Sequence, residues 1–230
     1  MSSTSTAQEP WSLVDKTAIV TEASRGIGQA IAIHLARKGL SKLAFTCASN
    51  SDAAQKTLEE CRRLGVEFAI AIQADALDPS FGTKIVSQTL QQLSPTSIDI
   101  LVNNAVLSDY SKVEPINDTT LTVFLLQVMQ ANGGGRIIAI SSVLAYQANA
   151  DPTMTYGASK AAFQSYNRSL AEAFGKTTKA TFNSVIVGLT ATDSINNSKD
   201  LLPAGEEGRW VNGAAVSTNG GNRLVMAALG

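Results

Sequence analysis

One histidine, two cysteines and six prolines are all that the 230 residues carry of these types, and each shortage closes a class of chemistry. With His34 as the only imidazole, the chain lacks the parts of a Ser-His-Asp triad. Cys47 and Cys61 form no CxxC pair for zinc or redox work. Charge is sparse and balanced, 18 basic against 19 acidic residues without blocks, so neither nucleic acid nor an anionic membrane surface is an expected partner. No apolar run approaches the ~20 residues of a membrane span. The opening MSSTSTAQEP has neither the basic start nor the apolar segment of a secretion signal. Residues 1–11 read as a flexible tail on a cytoplasmic protein. Residues 12–230 read as one domain, since a chain that is 44% hydrophobic can bury one sizeable core. Small molecules or copies of the chain are the expected partners.

What is present begins with Thr17-Ala-Ile-Val-Thr-Glu-Ala-Ser-Arg-Gly-Ile-Gly28. A β-branched, apolar run turns through a glycine-bearing loop into a helix, in which Ile27, Ala30, Ile31 and Leu35 make the expected buried stripe. Strand, tight turn and helix N-terminus together form an anion site, because free backbone N–H groups and the helix dipole point at its occupant. A nucleotide pyrophosphate is the expected ligand.

The remainder repeats the unit. Strands are expected at Lys42–Thr46, Val66–Gln73, Ile98–Val102, Arg136–Ser141, Thr181–Val187 and Trp210–Ser217. Between them, Ser51 can cap a helix burying Ala54, Leu58 and Cys61, and Asp78-Pro79 can start one that buries Ile85, Val86, Thr89, Leu90 and Leu93. Asp118 opens another, with Leu121, Leu125, Val128 and Asn132 on one face, and Gly157–Phe174 is a long helix. This rhythm predicts an α/β fold: a Rossmann-like, doubly wound parallel sheet of about seven strands with helices on both faces and ligands at the strands' carboxyl ends.

At those ends fall the Gly26/Gly28 loop, Asp75, Asn103-Asn104-Ala105 and Ser141-Ser142, with Tyr156 and Lys160 just beyond. Tyr156 and Lys160 are separated by one helical turn, so they share a face, and an ammonium beside a phenol favours the phenolate. Such a pair suits proton transfer in an alcohol–carbonyl interconversion. Plainer readings stand beside these. Asp75 can be a turn cap, Asn103 and Asn104 can merely end a strand, Cys61 reads as core, and His34 reads as a boundary residue.

In this order and spacing the set resembles the short-chain dehydrogenase/reductase family. Thr21-Glu-Ala-Ser-Arg-Gly-Ile-Gly28 stands for its TGxxxGxG loop, Asn103-Asn-Ala105 for NNAG, Ser142 for its serine, and Tyr156-Gly-Ala-Ser-Lys160 for YxxxK. Val187-Gly188 with Thr190 and Thr192 resembles the PGxxxT segment. Val128-Met-Gln-Ala-Asn132 resembles the segment bearing the family's catalytic asparagine. The resemblance implies Tyr156 as general acid/base, Lys160 as its electrostatic partner and ribose ligand, Ser142 orienting substrate, and Asn132 as the fourth catalytic residue. It implies a cofactor wall of Thr21, Ser24, Arg25, Gly26, Ile27, Gly28, Asp75, Ala76, Asn103, Asn104, Ala105, Gly188, Thr190 and Thr192. The second strand ends at Cys47-Ala-Ser49-Asn50 without an acid to hold a ribose 2′-hydroxyl, and Arg25 can meet a 2′-phosphate, so NADP(H) is expected with Ser49 and Asn50 beside it.

The sequence departs from that pattern in four ways, the second of them at two positions. Glu22 replaces the first loop glycine, and Val106 and Val187 replace the glycine of NNAG and the proline of PG. The stretch before Gly133-Gly134-Gly135 is short by part of a helix that the family uses for dimer packing, so a homodimer or homotetramer is expected in weakened form. Asn196 to Gly208 lacks the amphipathic pattern of a crossover helix or substrate lid. Two functions are therefore carried forward. One is an NADP-dependent oxidoreductase acting on a small or medium apolar alcohol or carbonyl; the other is an impaired or internally deleted relative that acts by binding.

Overall fold

The computed structural model describes residues 12–95, 97–106, 134–150, 153–188, 190, 192, 215 and 216. Its sheet has seven strands in the order β3-β2-β1-β4-β5-β6-β7: β1 (Thr17–Val20), β2 (Lys42–Cys47), β3 (Phe68–Gln73), β4 (Ile100–Asn103), β5 (Arg136–Ser142), β6 (Thr181–Val187) and β7 (Ala215–Val216). The first six are parallel, with Val20 facing Phe45 on one side and Val102 on the other. The two-residue β7 instead pairs antiparallel with β6, Val185 opposite Val216. The doubly wound sheet is as expected, with the last strand differing in direction; of the expected Trp210–Ser217 strand only Ala215 and Val216 are among the described residues. An antiparallel partner does not need a crossover helix, and the sequence between the two strands carries no pattern for one.

Four helices are described: α1 (Gly26–Arg37), α2 (Ser51–Arg63), α3 (Phe81–Leu93) and α4 (Met154–Thr178). They divide by face because alternate strand residues point to opposite sides. Ala18, Val20, Phe45, Ile100 and Val102 pack with Ala32 and Ala36 of α1 and Leu58 and Cys61 of α2. Ile19, Ala44 and Leu101 pack with Ile85 and Val86 of α3 and Leu170 of α4. Helices α1 and α2 follow connections running toward β3, and α3 returns on the opposite face to β4, so the chain reverses direction between β1 and β4. A doubly wound sheet opens its ligand crevice at that switch point.

Local chemistry adjusted several expected boundaries. Helix α2 is capped by Asn50, whose side chain accepts from the Ala53 amide at 2.9 Å; Ser51 is the first helical residue. Asp78 caps a turn rather than α3, its carboxylate accepting from the Ser80 amide and hydroxyl at 2.8 Å, so the helix starts at Phe81. In α1 the buried stripe is Gly28, Ala32 and Ala36, and Ala30 is exposed. Small residues let α1 lie close to the sheet, while Ile31 and Leu35 pack partly buried at the margin. Cys61 is fully buried as expected, and loss of water pushes its thiol up to about 11. His34 lies on the exposed side of α1. The helix expected from Asp118, Asn132 with it, and the Asn196–Gly208 stretch lie outside the described residues.

Leu101, at the centre of β4, has no exposed surface. Leu101→Ala should destabilise the fold by about 2–5 kcal/mol, the usual range for such a truncation, read as a lower denaturant midpoint with an unchanged slope.

Candidate active site

Three strand ends, those of β1, β4 and β2, are tied together at the switch point. The Thr21 hydroxyl, fully buried, accepts from the amides of Asn104 and Ala105, both at 2.8 Å, and donates to the Val102 carbonyl at 3.4 Å. In return, the Asn104 side-chain amide donates to the carbonyls of Thr21 and Glu22 at 3.0 and 3.1 Å. From β2, Thr46 accepts the Glu22 amide on its hydroxyl at 2.8 Å and the Ala23 amide on its carbonyl at 2.9 Å. Thr46 is a site residue that the sequence reading passed over, since a threonine inside a strand looks like any β-former.

The loop then turns into α1. Arg25 occupies the N-cap position in extended conformation with no side-chain cap, and no acid stands in the first turn, so the helix's opening amides keep their preference for an external anion. Gly26 takes φ +60°, a conformation glycine adopts without a Cβ penalty. Gly28 is required for a different reason: a Cβ there would overlap the Glu22 carbonyl and the Asn104 side-chain amide, the groups that join the loop to β4. Ser24 is buried, its carbonyl accepting from Thr57 of α2, and Ile27 is half-buried.

Glu22 adopts φ +52°, a left-handed conformation costing a residue with a side chain roughly 1–2 kcal/mol. Its carboxylate crosses the crevice and accepts from the Val106 amide at 3.0 Å. Loss of water raises its pKa above the ordinary carboxylate value, against the Val106 bond and the nearby charges of Arg25 and Lys160, which act to lower it. The crevice, of about 230 Å³, is lined by Glu22 and Arg25, by Thr46 and Ala48 at the end of β2, by Asp75 and Ala76 after β3, and by Ala105 and Val106 after β4. Asp75 also caps its own turn, accepting from the Leu77 amide at 2.9 Å. Ser49 and Asn50 are exposed beyond the end of β2, and the carboxamide oxygen of Asn50 is engaged in capping α2.

The second half of the site lies where β5 meets α4. Ser142 ends β5, buried, its hydroxyl oxygen accepting from the Leu144 amide at 3.2 Å. Half-buried Tyr156 lies in the first turns of α4, with Lys160 one turn later. Lys160 is buried, its Nζ donating to the Ile140 carbonyl at 2.9 Å and lying 5.6 Å from the centre of the Tyr156 ring. The same helix face continues with Gln164, bonded to Ser141 at 2.6 Å, and Asn167, bonded to Ser184 at 3.1 Å. The exposed Tyr146 donates to Gln164. Sequence reasoning missed Gln164 and Tyr146; the four-residue step from Lys160 to Gln164 was the available signal.

The structure thus places Thr21, Ser24, Arg25, Gly26, Ile27, Gly28, Asn103, Asn104 and Ala105 around the β1–β4 junction, and Asp75 and Ala76 on the crevice wall. Asn103 ends β4, buried. Thr190 donates to the Gly188 carbonyl at 3.1 Å just past β6. Thr192 lies 3.7 Å from where a Cβ on Gly26 would stand, which brings that segment to the loop. Among the described residues no cluster of three metal-binding side chains occurs.

A crevice at the switch point of a doubly wound sheet, with a glycine-bearing loop beneath it and a Ser/Tyr/Lys set beside it, has the organisation of a dinucleotide-dependent dehydrogenase. The short chain dehydrogenase family model matches residues 16–201, and the chain belongs to that family. It is 48% identical over 269 aligned positions to the short chain dehydrogenase asqE of Emericella nidulans, covering 96% of this chain and 99% of that one. It is 44% identical over 274 positions to the short chain dehydrogenase penD of Penicillium thymicola, covering 99% of each. Among solved structures, a short chain dehydrogenase from Burkholderia cenocepacia in complex with NADP shares 33% identity with a TM-score of 0.64, over 79% of this chain and 77% of that one. The asqE alignment spans 269 positions but takes in 96% of the 230 residues here, about 221, so about 48 of its positions have no counterpart in this chain.

Thr21→Val keeps the shape and removes the acceptor for two backbone amides. It should cost about 2–6 kcal/mol, from a penalty of roughly 1–3 kcal/mol for each of the two unsatisfied amides, measured by denaturant unfolding. Glu22 gives a pH signature. Its raised folded-state pKa contributes stability that is full below the ordinary carboxylate range and is lost as pH rises through the raised value. The thermal midpoints of the native chain and Glu22→Gln should therefore diverge in favour of Gln between about pH 4 and neutrality.

Proposed function

We propose that the chain is an NADP-dependent oxidoreductase interconverting a carbonyl and an alcohol on a small or medium, fairly apolar substrate. It is proposed to act in the cytoplasm, as a homodimer or homotetramer that is weakened if the helix expected before Gly133 is short. The observation that carries this reading is the pairing of Tyr156 with the buried Lys160 ammonium, 5.6 Å from the ring centre, beside Ser142 at the end of β5. A fixed cation beside a phenol stabilises the phenolate, so Tyr156 can give its proton to a developing alkoxide and take one from an alcohol. The Ser142 hydroxyl already accepts from the Leu144 amide, which aims its single O–H elsewhere, and donation to the substrate oxygen would orient that oxygen for Tyr156.

The residues present fit a dinucleotide in the crevice apart from Glu22. The uncapped α1 terminus suits a pyrophosphate, and Arg25 on the wall suits a 2′-phosphate where the end of β2 offers no carboxylate. Arg25, Gly26, Ile27 and Gly28 would hold the phosphates, and Asp75 and Ala76 the adenosine end. Asn103, Asn104 and Ala105, with Gly188, Thr190 and Thr192, would flank the nicotinamide end. When bound, the nicotinamide supplies or accepts the hydride. Apolar Val143 and Met154 and the ring of Tyr146 stand exposed around Ser142 and Tyr156, a surface suited to an apolar substrate.

A second reading, a catalytically impaired relative acting by binding, is favoured by the carboxylate across the crevice and by the positions of the asqE alignment that have no counterpart here. Tyr156→Phe separates the readings. If the chain turns over, this variant should lose at least about a hundredfold in kcat, the lower end of acid/base contributions, while NADPH affinity stays within about twofold. An active Phe variant removes Tyr156 from its role. A native chain that binds NADPH and turns over no member of a panel of apolar ketones and alcohols supports the second reading.

A further inference from the structure

We propose that the Glu22 carboxylate is the resident anion of the nucleotide crevice, tied to the Val106 amide until an incoming dinucleotide displaces it, so that this residue sets cofactor affinity. The inference rests on the dinucleotide reading of the crevice and adds a step to it: the site must be vacated by the chain's own side chain.

Three observations converge. The bond from the Glu22 carboxylate to the Val106 amide, 3.0 Å, joins the loop after β1 to the loop after β4, residues 84 apart in sequence, across the mouth of the switch-point crevice. Both residues line that crevice. The backbone that delivers the side chain sits at φ +52°, a conformation that only a glycine adopts without strain, and it is held there by bonds to Thr46 and Asn104. The loop is fixed, so the side chain has no register shift by which to leave; it must rotate about its own bonds. A carboxylate on a backbone amide beside an uncapped helix N-terminus does what a phosphate oxygen would do there.

Displacement has two routes, rotation into solvent or protonation, and charge decides between them. Arg25 from the same loop and Lys160 from α4 favour the ionised form, but loss of water already outweighs them. Asp75, from the β3–α3 connection, adds a second carboxylate to the wall. From β2 come Thr46, which is uncharged, and Cys47, whose thiol burial keeps protonated; from the end of β4 come only uncharged Asn104, Ala105 and Val106. A dinucleotide's negative charge brought against this carboxylate raises its pKa further, so binding takes up a proton and weakens as pH rises.

The test is a titration of nicotinamide fluorescence with NADPH at pH values from 5.5 to 8.5, for the native chain, Glu22→Gln, Glu22→Gly and Asp52→Asn. Native affinity should fall with rising pH, and Asp52→Asn, at an exposed acid of α2 outside the crevice, should keep that slope. Glu22→Gly should bind at least about tenfold more tightly than native at pH 8 with no slope, and Glu22→Gln should lose the slope while keeping part of the steric obstruction. In parallel, amide exchange at Val106 in the nucleotide-free protein should be slow in the native chain and at least about tenfold faster in Glu22→Gly. Equal affinity of native and Glu22→Gly, or equal Val106 exchange in the two, overturns the proposal while the dinucleotide reading stands. Failure of every variant to bind NADPH overturns the dinucleotide reading and this proposal with it.

Discussion

The structure depends on a clasp between β1 and β4. Parallel neighbours that are joined only through distant crossovers need something at their carboxyl ends to fix how far the following loops diverge, and here it is Thr21. Its buried hydroxyl satisfies the first two amides beyond β4, and Asn104 answers by satisfying the first two carbonyls beyond β1. Four polar backbone groups that would be costly to leave unmade are paired at one point. Gly28 completes the arrangement by leaving room for Asn104. The crevice, the start of α1 and the positions of Glu22 and Val106 all follow from that clasp.

The second half of the site is held by a different device. Helix α4 presents polar rather than apolar residues to the sheet at its amino end: Lys160 on the Ile140 carbonyl, Gln164 on Ser141, Asn167 on Ser184. Apolar packing enters further along, with Tyr166 partly buried against the core and Leu170 buried in it. Directional bonds fix the rotation of the helix about its axis more tightly than apolar contact would, and that rotation decides where Tyr156 points. The face of α4 that carries the proposed chemistry is thus also the one that docks it.

Much of this was legible before the structure. Periodicity located all six parallel strands, and the stripes of α2 and α3 were read almost residue for residue, because Leu58, Cys61, Ile85 and Val86 obey the helical spacing that burial demands. The errors have physical causes. Helix α1 buries its glycine and alanines rather than its larger residues, since closeness to the sheet outweighed apolar area there. Asp78 was read as a helix cap because an Asp before Pro at a helix start and an Asp capping a turn look alike in one dimension. The direction of β7 depends on pairing partners, which a strand's own sequence does not encode. In the site, the residues could be named but not where Glu22 reaches. A carboxylate in place of a loop glycine opposes a bound phosphate by charge; the three-dimensional arrangement adds that this carboxylate already holds an amide across the crevice.

Kinship with the short chain dehydrogenases and the Ser142, Tyr156 and Lys160 set argue for oxidoreduction, whereas Glu22 and the positions missing relative to asqE bear on how readily this chain takes its cofactor. The central claim is that the crevice between β1 and β4 is a working dinucleotide site. Isothermal titration of the full native chain with NADPH and with NADH at pH 6 tests it most directly. The account predicts saturable binding near one equivalent, tighter for NADPH than for NADH and accompanied by net proton uptake. Absence of saturable heat with both nucleotides would contradict it.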